Sequence, residues 1–184
     1  GSIEGTPSQG LALVIELFGL KDASVIIGYK AGPEAALAVA RNEIQGTAFS
    51  IGSIKTYVDG GMTKEPFLTL DFKRANLYPN TPCVTDLLKL SPENERLLRL
   101  FTILHGGLSV WAPPGVPADR LQYLRESFDK LVALAGVQTN LKERAGMWAD
   151  PLNAKALADQ VQGVLAYPPA DIARFKQVTE KYTK

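Results

Sequence analysis

A single cysteine and a single histidine, Cys83 and His105, are all that this 184-residue chain offers for thiol or imidazole chemistry. So few residues exclude a disulfide framework and any His/Cys metal cluster built within the chain, and no metal or cofactor is expected. Cys83, in TPCVTD, has no neighbouring base or cation to lower its pKa, and it reads as a small buried apolar residue. His105, in LHGGLS, has no local carboxylate and nucleophile to complete a triad, and it reads as a packed or hydrogen-bonded histidine. No charge of either sign is in excess: 20 basic and 19 acidic residues leave a net +1, which gives no broad field for nucleic acid or an anionic membrane. Long apolar runs are missing too. LALVI and its like fall far short of the roughly 18 residues that span a bilayer. No paired carboxylates flank a recognisable site and the loop hydroxyls lack a neighbouring base, so an enzyme is the weakest reading.

What is present is an ordinary globular composition, 46% hydrophobic and 21% charged. Leu11, Val14, Ile15 and Phe18 recur at helical spacing, predicting a helix from Thr6 to Leu17 that Gly19 closes. Thr6 is placed to cap it, Pro7 stands at the first helical position, and Gln9, three residues after Thr6, completes a capping box. SVIIGY reads as a buried strand, GPEAALAVARNEIQG as a helix, TAFS as a second strand, IGSIKTYVDGG as a short helix closed by Gly60 and Gly61, and PFLTLDF as a third strand. That order is an α/β rhythm, and it predicts a small, mostly parallel sheet through Val25, Ala48 and Leu68 with helices on both faces. Beyond LYPNTPC two helical stretches follow, the later opening with Ser91 and Pro92; GLSVWAPPGVP then reads as an isolated strand running into a rigid turn. From Pro117 the chain is helical, with Leu121, Leu124, Phe128 and Leu131 forming one apolar stripe and further helices through Val178.

The opening loop has the makings of an anion site. Gly5 permits close approach to the backbone, Thr6 and Ser8 supply hydroxyls, and the helix that begins there points unpaired N–H groups and its positive dipole end at the loop. The alternative is that Thr6 only caps its own helix while water takes the other donors. Gly5, Thr6 and Ser8, then Glu16, Leu17 and Phe18, then Tyr29, Lys30 and Gly32 follow the order and spacing of a segment in the second lobe of Bug-type extracytoplasmic solute receptors, which this chain resembles. LYPNTPCVTDLL and VWAPPGVPADRLQYLRESFDKL are similar to two later stretches of the same family, so the resemblance covers most of the chain.

The resemblance implies a periplasmic-binding-protein-like (type II) α/β lobe followed by C-terminal helices. It divides the chain into residues 1–106, a second ligand-binding lobe entered part-way, and 107–184, a return crossover strand and helices that partly belong to a first lobe. It implies a periplasmic receptor that captures a small organic acid and delivers it to the membrane permease subunits of a tripartite tricarboxylate transporter, with neither nucleic acid nor cofactor involved. The ligand-binding set carried over is Gly5, Thr6, Ser8, Tyr29, Gly32 and Ser50, with Tyr29 as a pocket wall and Lys30 facing solvent or pairing with Glu34. Two departures bear on the ligand. Glu4 puts a carboxylate into the loop, which opens the site to a ligand carrying an amino group or ring nitrogen, and Ser50, Ile51, Gly52 and Ser53 form a small polar loop and a wider pocket wall. The same architecture also serves as the effector-sensing domain of transcription regulators, and this is the alternative function. A stripe left uncovered at Leu121, Leu124, Phe128 and Leu131 would favour self-association.

Overall fold

A computed structural model of the chain describes residues 2, 5–105, 107, 109–145 and 152–183. The chain sorts into two compact units, residues 1–105 with 167–184, and residues 106–166. The tail 167–184 thus groups with the first unit, across the division expected at 106/107.

The first unit is built around α1, Thr6–Phe18, which packs against α5, Pro92–His105, and α9, Pro169–Tyr182. The α1 sequence, TPSQGLALVIELF, carries one charge, Glu16, and a helix so apolar has no wet face to offer. Accordingly Ala12, Leu13, Ile15 and Leu17 are buried, whereas Leu11 and Phe18, from the face that the spacing selects, pack at the margin of the core. Gly10 lets neighbouring groups come close: a Cβ there would lie 3.2 Å from Leu70, 3.3 Å from Phe101 and 3.4 Å from Ala48. Leu97, Leu98, Leu100 and Phe101 of α5 and Phe175 and Val178 of α9 complete the core with Val25 and Val84. Gly19 ends α1 at φ 62°, the left-handed position that the sequence predicts for it. Ser91 opens α5, its Oγ accepting from the Asn94 N–H at 3.3 Å.

The expected α/β lobe does not form. Among the described residues there is no sheet, and the extended pairing consists of two isolated parallel bridges, Val25 with Thr183 and Thr69 with Cys83. Each stops for a visible reason. Thr69 donates to the Pro82 carbonyl at 2.9 Å and accepts from the Val84 N–H at 3.2 Å. The next rung would need an N–H on Pro82, which has none, and in the other direction the chain enters α4, Val84–Leu87. Val25, 1% exposed, donates to the Tyr182 carbonyl at 2.7 Å, but Tyr182 still belongs to α9, so the extended partner begins only at Thr183. Beyond Val25, Ile26 and Ile27 are exposed and Gly28 turns to φ 109°. TAFS forms no strand; its Ala48 sits against α1 and its Phe49 ring lies 4.7 Å from the Tyr57 ring. GLSVWAPPGVP likewise carries no strand among its described residues, and Val110 and Trp111 are exposed.

The helices between these segments stand. In α2, Gly32–Ala40, the helix ends six residues before the predicted Gly46, because Asn42 adopts φ 57° and breaks the helical run. In α3, Ile51–Asp59, Gly61 at φ 68° follows the end as expected.

The second unit holds α6, Ala118–Ala133, α7, Ala135–Ala145, and α8, Ala154–Leu165. A tight turn joins α6 to α7, with Gln138 Nε2 donating to the Val132 carbonyl at 2.7 Å. Asn153 caps α8, its side chain accepting from the Ala156 N–H at 2.9 Å. No residue of α6 or α8 is buried. Of the predicted stripe, Leu124, Phe128 and Leu131 are exposed and Leu121 is half-buried.

Candidate functional site

The open end of α1 is where predicted residues and new ones meet. Gly5 occupies the N-cap position in an extended conformation, φ −71° and ψ 143°, and donates its N–H to the Ser2 carbonyl at 3.0 Å. Thr6 is therefore the first helical residue and not the cap, and the Thr6–Gln9 capping box does not form. Both side chains turn to a third residue. Thr6 Oγ1 lies 3.0 Å from His105 Nδ1, and Gln9 Oε1 lies 2.6 Å from His105 Nε2.

The proton positions follow from the partners. An amide oxygen only accepts, so Nε2 donates to Gln9; in the neutral ring Nδ1 is then the acceptor, and the Thr6 hydroxyl donates to it. Burial of the ring, which stacks at a tilt 4.7 Å from Phe101, holds the His105 pKa below the ordinary imidazole range and favours this neutral form. His105 is the last residue of α5, so the cluster joins the end of one helix to the start of another. His105 is thus both hydrogen-bonded and packed, as its surroundings in the sequence predict. Its place at the predicted loop had no sequence signal, since 99 residues separate it from Thr6.

The other predicted residues take different places. Ser8 is 6% exposed and its hydroxyl donates to the Ser2 carbonyl at 2.9 Å, so its proton is committed within the loop. Tyr29 is half-buried just past Gly28. Lys30 is exposed; its backbone N–H, not its ammonium, donates to Glu34 Oε2 at 2.6 Å. Gly32 opens α2 beneath the Tyr57 hydroxyl, which any Cβ would strike, and this close approach accounts for a glycine there. Ser50 caps α3, with its Oγ accepting from the Ser53 N–H at 3.4 Å and donating to Ser53 Oγ at 3.0 Å. Among the described residues no hydrogen bond joins Thr6 or Ser8 to Tyr29, Gly32 or Ser50. Glu4 lies outside the described residues.

Cys83 is buried, with Sγ 3.3 Å from Thr85 Oγ1. No His, Cys, Asp and Glu group suited to a metal ion occurs among the described residues, and none of their helices is long and apolar enough to cross a membrane. In the second unit an open depression of about 500 Å³ lies at the start of α6, lined by Val116, Pro117, Asp119, Arg120, Tyr123 and Leu124. No family model, no curated protein and no solved structure matches the chain.

Proposed function

We propose that the chain binds small organic acids at the N-terminal turn of α1, as the ligand-capturing part of a periplasmic solute receptor that serves the permease subunits of a tripartite tricarboxylate-type transporter. One observation carries the reading: Thr6, Gln9 and His105, polar side chains from two helices, converge on the N-terminal turn of α1, at the positive end of its dipole. A carboxylate is the complement of that turn, accepting from the N–H groups with no lysine needed. The receptor assignment is further supported by the order of Gly5, Thr6 and Ser8, Glu16 to Phe18, and Tyr29 to Gly32, which follows the Bug-type pattern. The architecture lends the assignment nothing, since the parallel sheet of that family is absent among the described residues.

Calorimetric titration with lactate, tartrate and citrate tests the reading. Binding is expected, and Thr6→Val, which keeps the shape but removes the hydroxyl that holds His105 against the turn, weakens it. Absence of binding by all three acids overturns the proposal. A hydroxyl against an imidazole is also the geometry of an acyl-transfer nucleophile, so an activated ester belongs in the same assay. Turnover abolished by Thr6→Val would replace the binding reading with an enzymatic one.

A further inference from the structure

We draw no further inference here: the strongest candidate, the exposed apolar stripe of α6 at Leu124, Phe128 and Leu131 in the second unit, carries nothing, because nothing in the structure shows what covers it.

Discussion

The two units use apolar helices in opposite ways. In the first, α1 is apolar nearly all round and is enclosed by α5 and α9, with Leu13 and Leu98 fully removed from water. In the second, α6 carries a one-sided stripe with Asp119, Arg120, Arg125, Glu126, Asp129 and Lys130 around the rest of its circumference, and Leu124 of the stripe is 52% exposed. Both patterns are plain in the residue order. What separates them is whether another element supplies a complementary face, because burial, not the mere presence of leucine, removes apolar area from water.

The sharpest way to break this comparison is to truncate one leucine in each unit. Leu98→Ala, at a fully buried position, should cost about 2 to 5 kcal/mol, whereas Leu124→Ala should cost well under about 1 kcal/mol. Urea unfolding of both variants measures the difference, and equal losses would mean that the α6 stripe is covered in solution. A smaller effect is expected at the seam between α1 and α9. Glu16 accepts from the Tyr182 hydroxyl at 2.6 Å and from Lys181 at 3.0 Å, so Glu16→Gln should destabilise by about 1 to 2 kcal/mol.

The same carboxyl gives the first unit an acid limb. The hydrogen bond from Tyr182 leads the causes that lower the Glu16 pKa, outweighing burial. Its contribution is therefore complete above the ordinary carboxylate range and is lost as the pH falls through the lowered folded value, a loss that Glu16→Gln abolishes. His105 adds a gentler slope at higher pH. Its lowered pKa disfavours the charged ring in the folded state, so stability is full above the ordinary imidazole value and declines as the pH falls from there to the folded value. The gap between thermal melts of wild type and His105→Asn should be constant at alkaline pH and narrow below about pH 6.5, where the wild type alone loses stability. The least effect is on amide exchange rates within native conditions: α1, α5 and α9 should exchange slowly through global opening, and α6 and α8, with no buried residue, faster through local opening.

The helices were legible because their signals are local. Gly19 must adopt a left-handed conformation to end α1, Ser91 and Pro92 start α5, and Gly61 follows α3, each within a few residues of the turn it controls. The strands were misread because β-branched composition fits any half-buried extended segment and says nothing about a neighbour to pair with. At PFLTLDF the neighbour is a segment whose Pro82 lacks the N–H for a second rung; at SVIIGY it is the residue just past a helix. Neither fact is visible in the apolar run itself. The Thr6 and Gln9 spacing was a true mark of a helix start, yet it named the wrong partner, because the tertiary fold brings His105 to both side chains and its imidazole replaces the reciprocal backbone bonds of a capping box.

The residue order by itself determined the end of α1 at Gly19, the start of α5 at Ser91, the near-neutral charge and the scarcity of cysteine and histidine, and it marked the loop at Gly5 to Ser8 as a candidate anion site. Those properties depend on composition or on contacts within a turn or two. Tertiary structure alone decided that the extended segments remain single bridges, that α1 and not a sheet is the centre of the first unit, and that His105 stands over the α1 turn. Each of these is a contact between residues far apart in the chain, and such a contact is governed by which surfaces fit together, a quantity that no local pattern of side chains contains.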